Sequence, residues 1–231
     1  MKRSLFLLAA SLACAGPVLG ALPTSISAEY DLKFSGVVIG HVSETYARNG
    51  EAYEIRSVAR SEGALKRFFD DEITMQSSGR VIASGLQPLA FRQRRSNSTK
   101  GAISATFDWA RGVMTSDNGH ELTDSPLPAG TQDRVSVLYQ FMFVTPTALV
   151  SISMSNGRKV ELYSYRRVGE ERIATPAGAF DTIHYQRVTQ GKESQAEVWI
   201  APAHFNFPVR VAFEDSHGLR VEEQVVSLLE R

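Results

Sequence analysis

Apolar and polar residues alternate with a period of two along most of this chain, the pattern of half-buried antiparallel strands. Between Ser27 and Arg48, Tyr30, Leu32 and Phe34 share one strand face, and Glu29, Asp31 and Lys33 share the other. Ser35-Gly36 interrupts the run, and Val37, Val38 and Ile39 follow. After Gly40-His41 the alternation resumes in Val42-Ser43-Glu44-Thr45-Tyr46. Asn49-Gly50 predicts a two-residue hairpin turn, because both positions tolerate positive φ. Tyr53, Ile55 and Val58 carry the next strand, and residues 64–69 predict a short helical interruption. Further strands are expected over 73–81, 86–95, 102–109, 112–116, 158–168, 171–175, 180–189, 193–200, 208–214 and 219–228. About a dozen short strands separated by Gly and Asn turns predict a mainly β fold, a single curved antiparallel sheet or half-barrel with one or two short helices. No linker, charge run or low-complexity stretch divides residues 21–231, which read as one domain.

One segment departs from this rhythm. Residues 123–130 hold Pro126, Pro128 and Gly130 and predict a loop. Residues 133–144, DRVSVLYQFMFV, predict a helix with Asp133 as N-cap and Thr145-Pro146 as its stop. Val135, Leu138, Tyr139 and Met142 occupy one helical face, while Val137, Phe141 and Val144 lie on another. A helix apolar nearly all round has to be covered on more than one side. Two readings are open: a core helix packed across the concave face, or a helix lining or plugging an apolar cavity. In the second, Leu138, Phe141 and Met142 close a ligand space, and Trp199 or its strand neighbours form a wall.

The N-terminus adds an address. Met1-Lys2-Arg3 is basic, residues 4–15 are apolar, and Val18-Leu19-Gly20 precedes Ala21 in the small-residue pattern of signal-peptidase sites. Residues 1–20 therefore predict a secretory signal peptide, cleavage after Gly20 and a periplasmic location. The only cysteine, Cys14, lies inside that signal; a lipidated Cys14 is the alternative, although Ser11 stands where a lipobox usually has Leu. Neither case leaves a thiol for a disulfide or a nucleophile. The 231 residues carry 25 basic and 25 acidic side chains. Losing Lys2 and Arg3 leaves 23 against 25, a net of −2, so nothing points to a nucleic-acid partner. No stretch after the signal is long and apolar enough for a membrane-spanning helix.

Motifs that carry chemistry are few. His41, His120, His184, His204 and His217 have no metal-ligand spacing, and Asp70-Asp71-Glu72 lacks the spacing of a calcium loop. No nucleophile elbow, Walker loop or dinucleotide fingerprint occurs. The expectation is a protein that is not an enzyme, with no metal, no cofactor and no catalytic residue. Arg92-Gln93-Arg94-Arg95, with Lys100 nearby, is the densest basic cluster. On a strand, Arg92 and Arg94 face one way and Arg95 the other, either coating a solvated face or meeting an anionic group. Asn97-Ser98-Thr99 matches a glycosylation acceptor, relevant only in a eukaryotic secretory pathway.

Several stretches together resemble the DUF3108 family of bacterial envelope proteins. These are Ala28-Glu29-Tyr30-Asp31-Leu32 with Gly36 and Gly40, Gly85-Leu86-Gln87-Pro88 before an Arg-rich strand, and Asp133-Arg134-Val135-Ser136-Val137-Leu138-Tyr139. Thr175-Pro176-Ala177-Gly178-Ala179-Phe180-Asp181-Thr182, Glu197-Val198-Trp199-Ile200-Ala201-Pro202 and Pro208-Val209-Arg210-Val211 complete the set. The Trp strand followed by Pro-Val-Arg is also similar, more loosely, to periplasmic lipoprotein carriers. That second resemblance implies a half-barrel holding acyl chains under a helical lid. The family supplies no catalytic residue to transfer. Three functions follow in order: a non-enzymatic periplasmic protein binding an apolar or lipid-like ligand or an envelope-assembly partner; an interaction or scaffold module with a filled core; and an envelope hydrolase assembled only by folding.

Overall fold

The computed structural model describes residues 22–62, 72–96, 102–189 and 194–231. The expected signal with Cys14, the helical interruption at 64–69, Asp70-Asp71 and the stretch Asn97-Ser98-Thr99-Lys100 lie outside them. Among the described residues the first meander comprises β1 (Ser25–Phe34), β2 (Val37–Asn49), β3 (Ala52–Ser61), β4 (Glu72–Ile82), β5 (Gly85–Arg95), β6 (Ile103–Asp108), β7 (Val113–Asp117) and β8 (Leu122–Pro126). A crossing segment follows: β9 (Gln132–Asp133), α1 (Ser136–Gln140) and a 3-10 turn at Phe141–Phe143. The second meander is β10 (Leu149–Ser155), β11 (Val160–Thr175), β12 (Gly178–Arg187), β13 (Gln195–Ala201), β14 (Phe207–Glu214) and β15 (Arg220–Glu230). All belong to one sheet, ordered β8-β7-β6-β5-β4-β3-β2-β1-β15-β14-β13-β12-β11-β10-β9. The first and last long strands pair antiparallel, from Ile26↔Glu230 to Phe34↔Val221, and so join the two meanders. The fold is mainly β, a curved sheet that does not close.

Three expectations change in detail. The strands at 158–168 and 171–175 are one strand, β11, because the ladder slips register between Arg167 and Gly169 instead of breaking. Leu122–Pro126 is a strand, not a loop. Pro126 is tolerated there because β8 is the sheet edge, where a missing N–H costs no ladder bond. The helix expected over 133–144 shrinks to Ser136–Gln140 and the 3-10 turn. Gln132 and Asp133 are instead held parallel to Met154 and Ser155 of β10. Asp133 still caps: its Oδ1 accepts the N–H groups of Val135 and Ser136, both at 2.9 Å.

The crossing segment fills the concave side between the two halves of the sheet. Val135, Tyr139 and Met142 belong to a buried cluster with Tyr46, Tyr53, Ile55, Phe91 and Phe207. Val137 and Phe141 belong to another with Val150, Ile152, Tyr165, Tyr185, Val198 and Ile200, against which Leu138 and Val144 pack. The Tyr139 ring stacks on Tyr46 at 5.5 Å and meets the edge of Phe207 at 5.6 Å, while Phe141 lies 5.7 Å from Tyr165 and 5.9 Å from Tyr185. The two-sided covering that the apolar sequence demands is therefore supplied by the two meanders, one on each side.

Side chains stitch this segment to β4 and β5, where no backbone ladder exists. Gln140 accepts the Leu86 N–H at 2.8 Å and donates to the Ser84 carbonyl at 2.9 Å. Gln132 donates to the Leu86 carbonyl at 2.7 Å, and Arg134 to Gln93 at 3.0 Å. Ser77 donates to Asp133 at 2.5 Å and sits 3.0 Å from the Tyr53 hydroxyl. Two glycines permit the approach. Gly85 has φ +117°, and a Cβ there would fall 2.4 Å from the Gln140 amide; at Gly157 (φ +83°) it would fall 2.8 Å from Ile103 and 3.2 Å from the Phe91 ring. Deleting the Phe141 ring should leave a cavity between the plug and β10–β13. Phe141→Ala is expected to cost about 3–5 kcal/mol, read as a lower urea midpoint with unchanged slope.

Candidate functional site

Cross-strand pairs share a face, so the register maps the interior from one end to the other. At the plugged end lie Tyr46, Tyr139 and Phe207. Next comes Glu44, paired with Ala28 on β1 and Ser57 on β3. Val42, Tyr30 and Val225 form the following row, and Leu32 and Glu223 the one after it. The last row is Val37, Phe34, Val221 and Phe213, drawn from β2, β1, β15 and β14. Its next neighbour, Ala196, is buried in the core, which places the row on the concave face. Yet three of its members are open to solvent: Phe34 is 38% exposed, Val37 66% and Phe213 47%, while Val221 is half-buried. The concave side is thus sealed by α1 at one end and ends in an apolar mouth at the other, about 30 Å away at the rise of a strand.

Two carboxylic acids, Glu44 and Glu223, sit between plug and mouth, and a third, Asp133, is buried in the crossing segment itself. Burial pushes the Glu44 carboxyl up to about 7, although hydrogen bonds from Ser57 and Tyr139 oppose the shift. The Tyr139 hydroxyl donates to Glu44 Oε2 at 3.2 Å. Burial, with Glu44 nearby, raises Glu223 to about 8. Asp133 rises to about 6 through burial, against the bonds from Ser136, Ser77 and Val135. Tyr30 and Tyr139 are also raised, first by burial and then by Glu44. At neutral pH Glu223 thus stays mostly protonated, Glu44 is divided between its two forms, and Asp133 is largely ionised and held by its hydrogen bonds. The sequence carried the signal: Glu44 shares strand parity with Val42 and Tyr46, and Glu223 with Val221 and Val225. Neither was singled out from sequence.

The structure brings Leu138, Phe141 and Met142 onto the plug, where Phe141 and Met142 are buried against side chains and Leu138 is partly exposed. Trp199 lies on the opposite face of β13 from Val198 and Ile200, which pack with Phe141. Its ring is stacked 4.2 Å from the His184 ring, the Arg210 guanidinium lies 4.6 Å from its centroid, and its Nε1 donates to Glu171 at 2.5 Å. Glu197 holds His184 at 2.7 Å and accepts from Arg220 at 2.6 Å, and Glu222 accepts from Arg210 at 2.6 Å. These polar partners form a ladder on the outer face of β13, while Trp199 itself is buried and belongs to the same core cluster as Val135, Tyr139 and Met142. The principal clefts, of 210 to 520 Å³, also lie away from Leu138, Phe141 and Met142.

The other histidines mostly meet carboxylates. His41 bridges Asp31 (3.1 Å) and Glu62, and His204 meets Glu230 at 3.0 Å. His217 approaches Asp215 at 3.6 Å and Ser216 at 3.5 Å inside one exposed turn. Among the described residues no group of three or more His, Cys, Asp or Glu is placed to hold a metal, and no helix is long and apolar enough to cross a membrane.

This architecture defines a β-barrel-like protein whose curved sheet is plugged from within at one end. A model of the DUF3108 family, proteins of unknown function, matches residues 29–224, and the chain belongs to that family. The fold is similar to the crystal structure of a β-barrel-like protein of the DUF1849 domain from Brucella abortus, at 12% identity and a TM-score of 0.55, covering 91% of this chain and 99% of that one. Weaker likenesses are to a lipoprotein candidate from Parabacteroides distasonis (13% identity, TM-score 0.35, 90% and 97% covered) and to an exported-protein candidate with a YmcC-like fold from Bacteroides fragilis (12%, 0.33, 90% and 96%). No curated protein matches the sequence.

The raised carboxyls make stability fall with pH. Between about 4.5 and 7 the unfolded chain releases the Glu44 proton and the folded chain keeps it, so each pH unit lowers stability by up to about 1.4 kcal/mol for that group. The full loss for Glu44 is about 3 kcal/mol, complete above its folded value. Glu44→Gln, which stays neutral and can still accept from Tyr139, is expected to raise the melting temperature at pH 8, change it little at pH 4.5, and flatten the slope between.

Proposed function

We propose that the protein is a non-enzymatic binding protein of the bacterial envelope that takes an apolar, lipid-like ligand at the open mouth of its concave face. The observation that carries this reading is the apolar row Val37–Phe34–Val221–Phe213, exposed at all but the half-buried Val221, on the core-facing side of four adjacent strands. Contiguous exposed apolar surface marks a binding site more often than a free surface. Behind the row, Leu32 and the uncharged carboxyl of Glu223 continue the lining inward, and a protonated acid can donate a hydrogen bond to a carbonyl or hydroxyl of the ligand. An acyl chain seated there gains about 0.8 kcal/mol per buried CH₂, so eight methylenes supply roughly 6 kcal/mol before association costs. The envelope location rests on the signal-like N-terminus. The non-enzymatic reading is supported by His41, His184 and His204, whose ion-pair partners among the described residues are carboxylates.

A second reading has its own support. The space under α1 is filled by Tyr46, Tyr139, Phe141, Tyr185 and Phe207, as a scaffold or interaction module with a solid core would have it. In that reading the same mouth meets an apolar protein surface. Displacement of a fluorescent fatty acid separates the two. Micromolar binding by the wild type, weakened tenfold or more in Phe34→Asp/Phe213→Asp with the melting temperature kept, supports the lipid-like ligand. No binding at tens of micromolar lipid, a range set by the few kcal/mol that remain after association costs, leaves the interaction module in its place.

A further inference from the structure

The convex face carries a different chemistry. Arg92 and Arg94 alternate with the inward residues Phe91 and Gln93 and so share the outer side of β5. On β4 they stand opposite Gln76 and Thr74, and Gln76 in turn stands opposite Arg56 of β3. Strand spacing puts the Arg56 and Arg92 backbones about 10 Å apart, within reach of two converging side chains. Arg56, Thr74, Gln76, Arg92 and Arg94 line one cleft of 210 Å³. None of the three guanidiniums has an ion-pair partner among the described residues, whereas Arg60 next to them is paired with Glu72 at 2.8 Å. Glu72 also accepts from Thr74 at 3.2 Å, so that carboxylate is engaged. Glu54, the other acid on this part of β3, lines the adjoining cleft, whose wall it shares with Gln76 and Arg92.

We infer that this cleft is a phosphate site: Arg56, Arg92 and Arg94 converge on one phosphate group, with the Gln76 amide as an added neutral donor. Surface arginines left in a cluster repel one another, and on a sheet their alternation with Thr and Gln leaves room between them for an anion. Guanidinium groups present paired N–H donors in a plane that fits phosphate oxygens two at a time. Three such forks around a small cleft outmatch a lone surface ion pair, which salt screens over about 8 Å at physiological ionic strength. The phosphate can come from a lipid headgroup or from free phosphate in solution. This site is on the opposite face of the sheet from the apolar mouth, and the inference stands without it.

The test uses the protein from Ala21 onward with two probes. Arginine Nε–Hε resonances are followed by NMR during titration with inorganic phosphate, and flotation is measured with phosphatidylcholine vesicles with or without phosphatidic acid. Binding to at least one probe is expected, falling tenfold or more in Arg56→Gln/Arg92→Gln/Arg94→Gln and unchanged in Arg111→Gln, which removes an exposed charge on another turn. Arg92→Lys keeps the charge and loses the fork, and is expected to fall between wild type and the triple variant. Flotation that resists competing inorganic phosphate assigns the site to a lipid headgroup; saturable arginine shifts without flotation assign it to free phosphate. Equal behaviour of wild type and the triple variant, with melting curves showing both folded, or no response to either probe, overturns the inference.

Discussion

The edge strands β8 and β9 never pair with each other, so the twist that curls fifteen strands leaves a gap that backbone hydrogen bonds do not close. Side-chain bonds from Gln132, Asp133, Arg134 and Gln140 close it instead, reaching Leu86, Ser77, Gln93 and Ser84. All but the exposed Arg134–Gln93 bond are buried or half-buried polar contacts, and each of these loses its value if its partner is removed. The short helix is shaped by this duty. It ends after five residues because the segment before it is committed to β10 and the segment after it must turn Phe141 into the second half of the core.

With one end sealed in this way, the concave face becomes directional. Aromatic rings fill the sealed end, two acids whose burial raises their proton affinity occupy the middle, and bare apolar side chains finish the open end. The acids are the costly part of this arrangement. A buried ionised carboxylate is strongly disfavoured, and the protein avoids it by keeping the proton. A fully aliphatic middle would be more stable, so their retention fits a face that meets something polar as well as something apolar.

Much of this was legible in the chain. The two-residue period gave the strands, Asn49-Gly50 marked a hairpin whose turn is in fact Gly50-Glu51 with positive φ at Gly50 alone, and the all-round apolar character of residues 135–144 required cover on two sides. What local pattern could not reveal was closure. Whether Phe34 and Phe213 are buried depends on strands nearly two hundred residues apart in sequence, and parity alone reads them as core. Trp199 shows the converse case. Its alternation against Val198 and Ile200 was visible, but which face was concave was not, so its stack with His184 and Arg210 emerged only from the fold. The Arg56 contribution to the outer cleft likewise depends on the β3–β4–β5 register.

The pairing of β1 with β15 brings the start of the first strand and the end of the last to one place. The Thr24 N–H donates to the Arg231 carbonyl at 2.6 Å, and the Arg231 N–H to the Ser25 carbonyl at 2.9 Å. That meeting point is beside Ile26 and Tyr46, at the sealed end. Anything tethered through the start of β1 or the end of β15 would therefore grip the sheet by its base. The apolar rim would face away from the attachment at the far end of β1, standing off by roughly the length of ten extended residues, about 30 Å, like a cup held by its foot.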